Sequence, residues 1–411
     1  MSRPASRFVV LAAALLACGQ PGRPELPTPQ ERMVVAGYVA GWKTGPAGAR
    51  IGEIAGEHLT HVIYAFGLIG EDGRAVLRDP CVDIGRCATA EDSAGAGAGG
   101  NFAQLRRLEA RHPHLRTLIA LGGWTGSGRF SDVALTDTSR RRFVESVIDL
   151  YIRRHPGLFD GVDVDWEYPV AGGLATNVTR AQDRYNFTLL LEEFRRQLDV
   201  QGERDGRRYL LTAATAAGPR TITDLELVRV SELVDWFNVM TYDYHVGSRI
   251  AHFNAPLFPA EDDPTPFWTV DATLRRYLEG GVPRAKFVLG IPFFGRAFGG
   301  VDAANAGLFQ PADTAAPAPW DSGLDYRGLT GRQPEANGFT RHWHPVARVP
   351  WLYNPALRVW ITYDDPESIR EKGTYVRRHG LRGVMAWEVM GDDGTLTRAM
   401  AGSLRDERQQ P

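Results

Sequence analysis

The chain has 411 residues, with 47 Lys and Arg set against 49 Asp and Glu for a formal net charge of −2. So even a balance argues against a nucleic acid as partner. The length is enough to bury one large barrel or two domains. Ten Trp, thirteen Tyr and eighteen Phe supply rings for a core and for a surface that takes flat apolar ligands such as sugars.

The first residues read as an export signal. Arg3 and Arg7 flank the start of the apolar run 8–17, which is too short to span a bilayer, and Cys18 follows it. Residues 15–18, LLAC, resemble a bacterial lipobox, so membrane attachment through a lipid on Cys18 is expected, with ordinary signal cleavage as the alternative. Either way the protein is expected outside the cytoplasm, in the cell envelope or secreted. Residues 19–32 are rich in proline and polar side chains and read as a tether.

Folded structure is predicted from residue 33. A strand over 33–42 ends in aromatics, and a second covers 61–66. Cys81 and Cys87 fall in a following loop as an even pair that an exported protein can oxidise to a disulfide, a free buried pair being the alternative. A glycine-rich loop over 93–100 leads to a helix over 102–112, a third strand over 115–124 and a helix over 139–155. Beyond the fourth strand come a helix over 181–198, a strand over 209–216, a short helix near 225–230 and a strand over 236–242. A helix over 270–280, a strand over 287–293 and a last strand over 383–390 complete the series. Strand and helix alternate, and most strands are continuous apolar runs, which argues for a parallel sheet covered by helices. Eight such strands favour a closed (β/α)8 TIM barrel over 33–404. No glycine-rich phosphate fingerprint follows the first strand, and no cofactor or metal is expected. Residues 301–363 break the rhythm with proline, glycine and aromatics, and read as a small α+β insertion between strands 7 and 8. Residues 405–411 form a polar tail.

The fourth strand carries the chemistry. Residues 159–169, FDGVDVDWEYP, place Asp163, Asp165 and Glu167 at alternate positions, and so on one face, with Val162, Val164 and Trp166 on the other. At about 3.3 Å rise per residue, Asp165 and Glu167 have Cα atoms roughly 6.6 Å apart, too close to ionise independently. One of them should hold a proton, as an acid for a leaving oxygen must at neutral pH. Asp160, ahead of the strict alternation, is expected to add to the same field. A solvated acidic face does not suit the bulky apolar residues between the carboxylates, and a calcium loop lacks its turn glycine. The C-terminal ends of barrel strands converge on one face. Tyr38, Trp42, Phe66, Trp124, Glu167, Tyr242, Asp243, Arg296 and Trp387 all fall at or near such ends. Together they describe carboxylates walled by rings, suited to pyranose stacking and glycosidic-bond cleavage.

The chain resembles the chitinases of glycoside hydrolase family 18. The motifs that carry the likeness are DGVDVDWE at 160–167 and ALGGW at 120–124, joined by MTYDYH at 240–245, GIPFFGRAF at 290–298 and GVMAWE at 383–388. The resemblance implies a retaining, substrate-assisted hydrolysis of chitin or chitooligosaccharides by a monomer. Glu167 would be the acid/base, and the substrate's acetamido oxygen the nucleophile. Asp165 would orient the acetamido group, Asp163 would tune Asp165, and Tyr242 would bind the acetamido carbonyl. Asp160, Met240, Asp243 and Arg296 would contact substrate, Trp387 would floor the reacting ring, and Tyr38, Trp42, Phe66 and Trp124 would shape the cleft. Two positions depart from the family's habit, Ala120 for serine and Phe294 for tyrosine. An endo-acting glycosidase on N-glycans and a non-catalytic lectin are the alternatives; the insertion argues against the first, and retention of Glu167 against the second.

Overall fold

The computed structural model describes residues 33–44, 51–87 and 99–405. The chain divides into two units, Met1–Met33 and Val34–Pro411, and the elements below belong to the second. The export signal, Cys18, the tether and most of the polar tail lie outside the described residues, as does much of the glycine-rich loop.

Eight parallel strands close on themselves. In chain order these are β1 (Val34–Ala40) and β2 (His61–Ile69), a short β3 (Ala75–Leu77) that pairs antiparallel with β2, then β4 (Arg116–Gly122), β5 (Gly161–Asp165), β6 (Leu210–Ala216), β7 (Trp236–Met240) and β8 (Phe287–Pro292). After an insertion, β13 (Gly383–Trp387) returns between β8 and β1, and a β1–β2 pairing shuts the barrel. The continuous apolar runs are explained by this closure, because both faces of every barrel strand are covered. Outward residues such as Val162, Val164 and Trp166 pack under the helices. Inward ones, including Ala36, Ile63, Leu118, Trp236, Val288 and Met385, fill the interior.

Helices follow the strands, as expected over Gly100–Arg111, Asp137–Val147 continued by a π-helix over Ile148–Arg153, Asp183–Asp205, Leu227–Leu233 and Val270–Glu279; two further helices, Pro366–His379 and Thr395–Ser403, were not read from the sequence. The β1–β2 connection is the exception among the described residues: it holds only short 3-10 turns, Gly41–Lys43, Ile51–Glu53 and Gly56–His58.

The insertion contains β9 (Arg296–Phe298), β10 (Thr340–His344), β11 (Val349–Asn354) and β12 (Val359–Thr362), joined antiparallel in the order β10-β11-β12-β9. Its sheet therefore begins before residue 301, the boundary read from composition, because Arg296 already pairs with Thr362. The aromatics of this region are chiefly its own cores: Trp351, Tyr353 and Trp360 in one, Trp320 and Phe339 in the other. Cys81 and Cys87 form a disulfide.

Candidate active site

The carboxylates sit where the alternation of β5 puts them. Asp163 and Asp165 point into the barrel, while Val162, Val164 and Trp166 belong to the outer core. Trp166 is wedged between Phe130, stacked at 5.3 Å, and Phe187, at 6.0 Å edge-on. The strand ends at Asp165, and Glu167 lies two residues beyond it on the C-terminal rim. Its backbone is fastened there: its N–H donates to Ser127 Oγ at 2.8 Å, and its carbonyl accepts from Asn177 Nδ2 at 3.0 Å. The Glu167–Tyr168 peptide is cis, as are Ala65–Phe66 and Trp387–Glu388.

The inner carboxylate is fully paired. Asp163 Oδ2 accepts from the Tyr38 hydroxyl at 2.7 Å, and Oδ1 accepts from Thr212 Oγ1 at 2.6 Å and Asn238 Nδ2 at 3.0 Å. Burial pushes its carboxyl up and these hydrogen bonds pull it back. Asp165 is treated differently. It is 3% exposed, and its Oδ1 is buried without a hydrogen-bond partner. Burial first, then the charges of Glu167 and Asp163, push it well above the usual carboxylate range. Glu167 is 9% exposed; burial raises it from 4.5 to about 7, against the hydrogen bond from Tyr168 and with the charge of Asp243. The carboxyls thus share protons as a unit, and neutral pH finds at least one of them protonated.

Rings wall this group. Trp387, the last residue of β13, lies 5.5 Å from Tyr38, 5.7 Å from Phe66 and 6.3 Å from Trp42. Phe66 sits within β2 at a register shift rather than at its end, and Trp42 lies beyond β1 on the turn Gly41–Lys43. Trp42 and Trp124 are 42% and 46% exposed, open to a ligand at the rim. Tyr242 is part-buried, and desolvation plus the charges of Asp165 and Glu167 hold its hydroxyl well above the ordinary phenol value, so that it stays a donor. Asp243 and Arg296 face each other in a two-pronged pair, at 2.9 and 2.7 Å. Phe294, edge-on to Tyr242, lies under the Arg296 guanidinium. Met240 is part-buried against the interior cluster beside Tyr242 and Trp387.

One expectation is corrected. Asp160 precedes β5 at the opposite end of the barrel, where it accepts from Thr117 N–H, Arg116 and Arg207. The strand's length separates it from Glu167, so it adds nothing to the field there and is not a substrate contact. Sequence reading also missed Tyr168, Ser127, Thr212 and Asn238, and the contact of Lys43 Nζ with Glu388 at 2.6 Å and Asp325 at 3.5 Å, which ties β1, β13 and the insertion together. Two signals were present: Thr212 and Asn238 are polar residues that interrupt the apolar runs LLTAATA and WFNVM. Among the described residues no group of His, Cys, Asp and Glu could hold a metal ion.

The family model for glycosyl hydrolases family 18 matches residues 34–392. Chitinase A1 of Niallia circulans is 37% identical over 411 aligned residues, covering 90% of this chain but 58% of that protein. Endochitinase 1 of Metarhizium robertsii is 31% identical, covering 87% of this chain and 81% of its own. Among solved structures, chitinase ChiA74 from Bacillus thuringiensis superposes with a TM-score of 0.82 at 33% identity, over 90% of this chain and 69% of that one. A family 18 N-acetylglucosaminidase from Paenibacillus barengoltzii gives 0.75 at 32%, over 90% and 100%.

Proposed function

The chain belongs to glycosyl hydrolases family 18, and from that premise we propose that it is a chitinase, hydrolysing β-1,4-N-acetylglucosaminyl linkages with retention and with the substrate's acetamido group as nucleophile. The observation that carries the reading is the buried, unpartnered Oδ1 of Asp165 beside a Glu167 raised to about 7. An orphaned buried acceptor is costly unless a ligand completes it, and an acetamido N–H is a donor of the right kind.

In this reading the protonated Glu167 gives its proton to the glycosidic oxygen as the bond to the anomeric carbon breaks. The acetamido carbonyl oxygen closes on that carbon from the opposite face, forming an oxazolinium ion. Asp165 takes the acetamido N–H and offsets the positive charge, while the Tyr242 hydroxyl donates to the acetamido oxygen and aligns it. Glu167, now ionised, takes a proton from water as water opens the ring. Trp387, in contact with Tyr38 and Phe66, supports the reacting pyranose. Asp243 and Arg296, paired and part-exposed on the rim, bind hydroxyls of neighbouring sugars. The disulfide suits an exported protein.

The experiment is Glu167→Gln. Turnover of chitohexaose should fall by about 10²–10⁴-fold, the usual worth of a positioned acid, while calorimetry still shows binding. Unchanged turnover in that variant would remove Glu167 from the mechanism.

A further inference from the structure

The connection from β7 to the helix Val270–Glu279 is long, and its middle, residues 251–257, is buried. Backbone polar groups in a buried loop need partners, and one residue here collects several of them. Asn254, 3% exposed, accepts the Asp243 N–H on its Oδ1 at 2.9 Å, and its carbonyl accepts the Tyr244 N–H at 3.4 Å. Asp243 has a left-handed backbone, φ +57°, which a residue other than glycine adopts at a cost, so the Oδ1 contact holds it there. The Asn254 N–H in turn donates to Thr362 Oγ1 at 2.9 Å, and Thr362 is buried at the end of β12. Thr362 is the register partner of Arg296 on β9, and Arg296 forks onto Asp243. The contacts close a circuit from Asp243 to Asn254 to Thr362 to Arg296 and back, through both the barrel and the insertion.

The mechanism above does not use Asn254. Its Nδ2 is buried without a hydrogen-bond partner among the described residues, a cost that an apolar side chain of similar size would avoid. Packing therefore does not account for this residue, and its oxygen on the Asp243 N–H does. We propose that Asn254 is a positioning residue for sugar binding, which together with Thr362 holds the Asp243–Arg296 pair in the geometry that meets the hydroxyls of the sugar chain. The inference rests on the chitinase reading above and deepens it, since it makes the insertion set the shape of one wall of the cleft. Without the Asn254 oxygen the Asp243 N–H loses its partner and the turn relaxes. The two charged side chains must then be ordered anew each time a sugar chain binds, at a cost in affinity.

Calorimetry of chitohexaose binding in the Glu167→Gln background, where the acid is removed, tests this. Asn254→Ala should weaken binding by about two- to tenfold, the usual worth of one neutral hydrogen bond. Joined to Arg296→Met it should cost less than it does alone, because the pair it serves is already broken. A residue that only supports the fold would cost the same in both backgrounds. Thr362→Val, which keeps the branched shape and removes the acceptor, should weaken binding as well, and Thr362→Ser should bind as tightly as the parent. The two Thr362 variants decide the matter if Asn254→Ala does not fold. Undiminished binding by Asn254→Ala or by Thr362→Val, or losses that simply add with Arg296→Met, would overturn the inference. If chitohexaose were neither cleaved by the parent nor bound in the Glu167→Gln background, the chitinase reading would fall and the inference with it. Intact binding that is indifferent to Asn254 would end the inference alone.

Discussion

Asp165 and Glu167 are two residues apart, yet their surroundings ask different things of them. Asp165 is enclosed, with one oxygen unpaired and two negative neighbours, while Glu167 is fastened at the rim and raised to about 7. Asp165→Asn should slow hydrolysis by about 10²–10³-fold, the scale for losing one preorganised electrostatic contact. It should also move the alkaline limb of the pH profile to lower pH, because the charge coupled to Glu167 is gone. In the parent, kcat/KM should fall as pH rises through about 7, where Glu167 loses the proton that the proposed mechanism has it donate. The same shift bears on stability. A carboxyl raised from 4.5 to about 7 binds its proton more tightly folded than unfolded. Its contribution is therefore complete below 4.5 and lost as pH rises through about 7. Glu167→Gln should melt a few degrees above the parent at pH 8 and level with it at pH 4, as read by calorimetry. The acidic motif was legible because period two is strand geometry. Asp160 was misread because spacing gives a side chain's neighbours along a strand but not at which end of the barrel it comes to rest. The partners of Asp163 were not legible, because Tyr38, Thr212 and Asn238 reach it from three other strands.

At the scale of elements, β5 is held in place by the turn beside it. Gly122 pairs with Asp165 and has φ +102°, and a Cβ there would stand 2.3 Å from the Asp165 carbonyl. Gly123 donates its N–H to that same carbonyl at 2.9 Å. Gly122→Ala should therefore push the end of β5 out of line and cost about 10²-fold in kcat/KM, the price of a misplacement near 1 Å. A loss in melting temperature without any loss in kcat/KM would contradict this role. The strand ends were legible to within a few residues, since Gly-Gly, proline and a switch to polar side chains mark them. The register shift at Phe66 was not, because it leaves no local signature in the sequence. Ala120, in register with Asp163, takes the place of a serine donor, and Asp163 has three hydrogen bonds without it.

For the whole molecule, alternation of strand and helix was enough to read the barrel, even though the β1–β2 connection carries no long helix among the described residues. The insertion was visible as a break in that rhythm. Its antiparallel order and early start were not, because β9 finds its partner β12 across some sixty intervening residues. Lys43, Glu388 and Asp325 join this subdomain to the barrel beside Trp387, so cleft and insertion act as one frame. In the proposed chemistry this frame holds the acid, the orienting carboxylate and the phenol, and no protein nucleophile is needed. NMR of the first products released from chitohexaose tests that claim most directly. The account predicts the β-anomer at the new reducing end before mutarotation, and initial formation of the α-anomer would contradict it.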